Sequence, residues 1–303
     1  MQKRTEKTAK LVFLVFGLIA VIFVLAITFY MFVKGAPAFL EVGVLRLLFG
    51  LSWKPTAENP SYGIFFIILS SIVGTAAAVL IGVPIGVLSA VFLTDFTDGS
   101  KLGRRISQLL YAAVELLAAI PSVIYGLIGM LVLCPAMYRL EKMIFAGNDT
   151  HQFTGGSNLL SAVLVLAVMI LPTVTNISVS SIRAVPVSLR SASLALGASK
   201  LQTIFRVVLP AAKSGIMTGV VLGIGRALGE AMAINMVAGG AVNIPLPFNS
   251  VRFLTTQLVS EMSYSSGLHR RVLFSVGLVL YVFIVIINLL LTRLRKGDKN
   301  HDA

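Results

Sequence analysis

Residues 190–210 read R-S-A-S-L-A-L-G-A-S-K-L-Q-T-I-F-R-V-V-L-P. This basic, helix-compatible segment interrupts a chain built mostly from runs apolar enough for a membrane. Arg190, Lys200 and Arg206 place it in water, and its apolar residues recur at helical spacing. A loop this ordered, set between two spanning helices, predicts a docking element. No other part of the chain has a use for it, so a partner is implied.

The composition agrees with a membrane setting. The chain has 303 residues, 57% hydrophobic and 12% charged, with a mean hydropathy of +0.93. Such values belong to polytopic membrane proteins. A helix needs about 20 apolar residues to cross roughly 30 Å of hydrocarbon. Six stretches meet that length, predicting an all-α protein with spans over 11–33, 64–93, 109–133, 159–182, 216–237 and 272–291. They form a single membrane domain over residues 1–303. The first run is too long for a secretory h-region and is read as a retained helix.

With the N-terminus inside, sixteen of the 25 Lys and Arg residues fall on the inner side and eight on the outer, leaving Arg226 within a span. This bias fits the positive-inside rule with both termini cytoplasmic. The net charge of +13 is therefore topological, with anionic lipid headgroups as counter-ions. No base-stacking aromatics accompany the charges, which argues against nucleic acid. Cys134 is alone, read as a packing residue, and His151, His269 and His301 lack metal-ligand spacing.

The outer segments 34–63, 134–158 and 238–271 are long enough to hold short helices or to meet an extracytoplasmic protein. Trp53 and Tyr62 are expected as anchors at the membrane interface, and the charged tail from Arg293 as disordered. The second span carries Gly74, Ala78, Gly82, Gly86 and Ala90 at a strict spacing of four, and the fifth has Gly215, Gly219 and Gly223, then Gly225 and Gly229. Such stripes let another helix approach closely, within the chain or in a second subunit. Pro84, Pro121 and Pro172 lie inside the second, third and fourth spans. Each removes a helical hydrogen bond, giving either a moving part or a static bend.

Glu115, Arg226 and Glu230 are the charges well inside spans. A charge at the bilayer centre costs roughly 2.5–3.5 kcal/mol on insertion scales, so these side chains should face protein or water. Arg226 and Glu230 stand four apart, within pairing reach on one helical face. They could line an anion path, where the planar guanidinium matches a tetrahedral oxyanion, or form a buried ion pair that fixes helix register. Glu115 could be a third member or a lone protonated acid. The chain lacks a G-x-x-x-x-G-K-[ST] phosphate loop, a G-x-S-x-G elbow and an H-E-x-x-H motif, so an enzymatic role and a bound cofactor are not expected.

The segment Ser191–Pro210 resembles the coupling motif of permease subunits from bacterial ATP-binding-cassette importers, whose pattern is E-A-A, three residues, G, nine residues, I-x-L-P. Ser191, Ala192, Ser193, Gly197, Val207, Leu209 and Pro210 stand at those positions; Ser191, Ser193 and Val207 depart from the pattern. Arg190 could supply the charge that the missing Glu would have contributed to the ATPase contact. Trp53-Lys54-Pro55 with Tyr62-Gly63, the string V-E-L-L-A-A-I-P-S-V-I-Y-G-L and the string G-R-A-L-G-E-A-M-A-I are similar to the phosphate-importer permease of the PstC type.

The resemblance implies a type I importer permease fold in the bacterial inner membrane, with 183–213 as the cytoplasmic coupling loop. It also implies a second permease of the PstA type, two copies of a cytoplasmic ATPase, and a phosphate-binding protein outside. Arg226, Glu230 and Glu115 become candidates for a phosphate pathway. A permease for sulfate or molybdate and an ion-driven secondary transporter are the alternatives.

Overall fold

The computed structural model describes residues 2–96, 101–148 and 150–299. They are helical almost throughout. In chain order the elements are α1 (Gln2–Val42), α2 (Val44–Phe49), the strands β1 (Trp53–Lys54) and β2 (Ser61–Tyr62), and α3 (Phe65–Val91), which runs into a π turn at Phe92–Phe96. Then come α4 (Lys101–Ala119), α5 (Ser122–Ile128), a π turn at Gly129–Leu133, α6 (Cys134–Ile144) and α7 (Leu159–Arg183). They are followed by α8 (Val187–Ala195), α9 (Lys200–Thr203), a third π turn at Ile204–Val208, α10 (Leu209–Gly229), α11 (Met232–Val237), α12 (Leu254–Glu261) and α13 (Gly267–Lys299). Where the sequence suggests one domain, the contacts divide the chain into two compact units. One runs through Phe65 and takes in Glu261–Tyr281; the other comprises Phe66–Ser260 and the chain from Val282 onward.

Six helical stretches are long and apolar enough to cross a membrane: Ala9–Val42, Phe65–Phe96, Ser122–Ile144, Leu159–Arg183, Lys200–Gly229 and Gly267–Arg293. Four agree with the sequence reading to within their ends. The third does not, because the helix expected over 109–133 stops at Ala119 and restarts after Pro121. Proline has no N–H to donate and pushes the residue before it out of the helical region. Pro84 and Pro172, by contrast, are carried inside continuous helices. The fifth span ends at Gly229 rather than 237. The tail from Arg293, expected as disordered, continues α13 to Lys299.

In the first unit, the far end of α1 packs on the opening turns of α13. Ser275 Oγ donates to the Gly35 carbonyl at 2.6 Å, and a Cβ on Gly35 would lie 2.9 Å from the Phe274 backbone. The β1–β2 ribbon sets Trp53 opposite Tyr62, and both rings stack edgewise or tilted on His269. The Trp53 indole N–H donates to Glu261 Oε2 at 3.0 Å, and His269 Nε2 lies 2.8 Å from the same oxygen. Trp53 and Tyr62 are thus buried, not interface anchors. An acidic acceptor inside the unit satisfies the indole that an interfacial Trp would offer to headgroups.

The second unit is built around α7, the most buried of the candidate spans. Two small-residue stripes make that possible. On α3, a Cβ at Gly82 would meet Ile170 at 2.7 Å and one at Gly86 would meet Val174 Cβ at 3.0 Å. On α10, Gly215 faces Ser181, Gly219 faces Ile177, and Gly223 faces Val174. The stripes expected to receive a helix from within the chain or from a second subunit receive α7 of the same chain. Gly225 and Gly229 have open space beside them and do not take part.

The N-terminus of α7 is capped twice. The Asn158 side chain accepts from Ser161 N at 3.0 Å. The segment 238–253 returns to offer the Asn249 and Pro247 carbonyls to Leu159 N and Leu160 N, at 3.0 and 2.9 Å. These first N–H groups have no intrahelical partner and need one. Fully buried Glu141 accepts from Thr154 N at 3.0 Å and lies 2.9 Å from His151 Nε2, tying the 134–158 segment to itself. Cys134 is buried against Ser157, as a packing residue should be.

Two outcomes are expected. Glu261→Ala strands a buried indole donor, costing about 1–3 kcal/mol. Trp53 is the single tryptophan, so its fluorescence should shift red and its thermal transition fall. Gly86→Ala forces a methyl against the rigid Val174 Cβ and costs about 1–3 kcal/mol by overpacking, whereas Gly225→Ala is neutral or stabilising because alanine is the better helix former. Melting curves of the purified protein in detergent rank the two.

Candidate functional site

The 183–213 segment is encoded locally. Pro186 precedes α8 at φ −55°, where its fixed ring torsion suits a helix start. α8 ends at Leu196, and Gly197 turns the chain at φ +86°, a backbone region open to glycine at little cost. Gly197 N donates to the Leu194 carbonyl at 3.0 Å, and Ala198 N to the Ser193 carbonyl at 3.2 Å. This pair of bonds is the Schellman closure of a helix C-terminus. The next residue begins the following helix with a capping box: Gln202 N donates to Ser199 Oγ at 3.2 Å, and Ser199 N to Gln202 Oε1 at 2.8 Å. L-G-A-S-K-L-Q is therefore a stop signal followed at once by a start signal. Leu209 and Pro210 then open α10 directly after the π turn at Ile204–Val208, with proline in the first turn.

Within α8 all residues are exposed except Arg190 and Ser193, which are half-buried. Ser193 Oγ lies 2.9 Å from Thr203 Oγ1 and so ties α8 to α9. Ser191 and Ala192 face solvent, as do the large apolar side chains of Val187, Leu194 and Leu196, the last 89% exposed. Arg190, expected to reach a partner, instead turns inward. It pairs with the Asp95 carboxylate and donates through Nη2 to the Ile182 carbonyl at 3.1 Å. The physical reason is Asp95 itself, an almost fully buried acid that needs a cation. Nothing in the chain singles out Asp95 beyond its place as the first of two acids, Asp95 and Asp98, after a long apolar run.

The charges expected inside spans are arranged differently from a helical i, i+4 pair. The helix breaks between them. Arg226 stands in the last turn of α10, where a cation meets the negative end of the helix dipole. Glu230 has extended backbone (φ −73°, ψ 128°). Its carboxylate accepts from Ala233 N at 2.9 Å, and its carbonyl accepts from Thr255 Oγ1 at 2.6 Å. Those two bonds explain the early end of the fifth span: Glu230 finds partners outside the helix. Among the described residues no ion pair joins Arg226 to Glu230. The one hydrogen bond found there for Arg226 is a long one, Nη1 to Thr173 Oγ1 at 3.4 Å, so a guanidinium with five donors keeps most of its capacity. The Tyr125 hydroxyl donates to the Leu117 carbonyl at 2.6 Å. Glu115 is exposed on α4. Thr173 and Tyr125 were not among the expected site residues; a hydroxyl in an apolar span is too common to stand out.

Residues 82–297 match the family described as "Binding-protein-dependent transport system inner membrane component". The probable ABC transporter permease protein YqgH of Bacillus subtilis (strain 168) is 39% identical over 277 residues, covering 88% of this chain and 85% of that protein. The phosphate transport system permease protein PstC of Pasteurella multocida (strain Pm70) is 32% identical over 260 residues, covering 81% and 79%. Among solved structures, a bacterial alginate ABC transporter in complex with a pentasaccharide-bound periplasmic protein superposes with a TM-score of 0.61 at 16% identity, covering 90% of each chain. An inward-facing MetNI methionine ABC transporter superposes at 0.54 with 20% identity, covering 78% of this chain and 94% of that one. The fold is that of a type I importer permease, and the chain belongs to the family of inner membrane components of binding-protein-dependent transport systems.

Proposed function

We propose that this multi-pass membrane protein is the permease subunit of an ATP-driven importer of inorganic phosphate, working by alternating access with a separate ATPase. The observation that carries the reading is the 187–210 segment. α8 and the turn that closes it present Val187, Leu194 and Leu196 as exposed apolar side chains outside the long spans. Apolar groups gathered on a water-facing element mark a docking surface, and the surrounding bias of Lys and Arg puts this face and both termini in the cytoplasm. The occupant is the ATPase, two copies serving two permeases, this chain and one of the PstA type.

Phosphate as substrate is supported by relatives bearing the PstC name and by Arg226. Its guanidinium sits where α10 ends with most of its donors uncommitted to the described residues, a form suited to a tetrahedral oxyanion. Glu230 holds the broken end of α10 in place, and Glu115 lies on the exposed face of α4. On this reading ATP binding draws the two ATPase copies together and pushes on α8 and α9. The push shifts helices packed through glycine stripes, and a phosphate-binding protein delivers its cargo on the outer side. Membrane lipid surrounds the spans, and the permease itself contributes no hydrolytic residue.

Leu194→Asp and Leu196→Asp should each reduce the ATPase recovered with the purified permease by at least tenfold while leaving its thermal transition in place; unchanged recovery refutes the docking surface. In proteoliposomes holding the assembled importer, Arg226→Gln should lower labelled phosphate uptake by about tenfold or more, since a charge-assisted contact is worth roughly 1.5–3 kcal/mol. Sulfate or molybdate outcompeting phosphate in the same vesicles overturns the substrate, and uptake that proceeds without the ATPase but collapses with an ionophore overturns the mechanism.

A further inference from the structure

We propose that the Asp95–Arg190 ion pair is the element that carries motion of α8 into α3 and α7, so that it sets how much transport each hydrolysed ATP yields. The proposal rests on the reading of the 187–210 segment as the ATPase docking element, and it concerns what lies behind that surface. An element that receives force must be fastened to something that moves. α8 has no buried residue, so apolar packing cannot do the fastening. Its two half-buried side chains both make polar contacts. Ser193 reaches only α9, through Thr203. Arg190 reaches further, pairing with Asp95 in the π turn that ends α3 and with the Ile182 carbonyl at the end of α7.

The pair is well built for that task. The Asp95 side chain is 5% exposed and that of Arg190 25%, so water screens the attraction only on the Arg190 side. The second carboxylate oxygen accepts from Thr94 Oγ1 at 2.8 Å, which fixes the acid's orientation. Behind it lies a sealed apolar cluster of Ala90, Val91 and Leu93 from the end of α3, Val179 and Ile182 from α7, and Ile204 and Val208 from the third π turn. The side chain that grips α8 is therefore anchored where α3, α7 and the start of α10 are locked together. Coupling between distant sites needs such a contiguous chain of packed, rigid elements. Two of these helices, α3 and α10, carry the glycine stripes that receive the third, α7, so a pull on Asp95 acts on the helix pairs that lie closest together.

The test uses the complete importer in proteoliposomes, with ATP hydrolysis and phosphate uptake measured in the same sample. Asp95→Asn and Arg190→Gln should each lower the phosphate moved per ATP by at least fivefold, with the ATPase still recovered alongside the permease. The charge-exchanged double variant Asp95→Arg/Arg190→Asp should return at least half of the lost ratio. Amide hydrogen exchange across α8 should quicken about tenfold or more in Asp95→Asn while that of α7 stays as in wild type. An unchanged ratio in both single variants overturns the proposal. So does a proportional fall of hydrolysis and uptake together with a lowered melting temperature, which is the mark of a folding role. If wild type hydrolyses ATP without importing phosphate, the substrate reading fails instead, and the same ratio is then taken with sulfate.

Discussion

Close approach of helix backbones along glycine stripes is the constraint from which the larger unit follows. In a membrane, apolar side chains gain little by leaving lipid for one another, so tight packing has to come from surfaces that fit. α7 fits because α3 and α10 offer it glycine where a methyl would strike Ile170, Val174, Ile177 or Ser181. With α7 held on two sides, its ends become fixed points. The N-terminal end receives carbonyls from Asn249 and Pro247. The C-terminal end leads within four residues to α8 and supplies the Ile182 carbonyl to Arg190. The candidate docking segment is thus mounted on the most buried of the candidate spans.

Polar groups then decide where helices stop. Glu230 ends α10 because its carboxylate and carbonyl find donors in Ala233 and Thr255. Had it stayed helical it would have stood one turn from Arg226 and been drawn toward it. The break leaves Arg226 at a helix C-terminus with a weak contact to Thr173, so the arginine serves no ion pair with Glu230. Among the described residues the guanidinium keeps one long hydrogen bond, to Thr173 on α7, although a charge held within a span is costly.

The first unit shows the same principle. Glu261 gathers Trp53 and His269, and Glu141 does the same for His151 and Thr154 in the other unit. Each buried acid gathers polar side chains from segments that lie between the long helices. Both histidines, unassigned by sequence spacing, are partners of these acids.

Much of this was legible in the sequence wherever the controlling interactions are local. Apolar run length gave six spans. The four-residue glycine spacing announced close packing, and L-G-A-S-K-L-Q wrote out one helix end and the next helix start. What the sequence left open were contacts between residues far apart along the chain. It did not tell whether the stripes met α7 or another subunit, that Trp53 would turn inward to Glu261, or that Arg190 would close on Asp95 rather than reach outward. Nor did it show that Glu230 would leave the helix, because the hydroxyl of Thr255 that makes this favourable lies 25 residues away. Helix propagation and the caps between α8 and α9 are decided among near neighbours; the pairing of a buried charge depends on which partner the tertiary fold brings within reach.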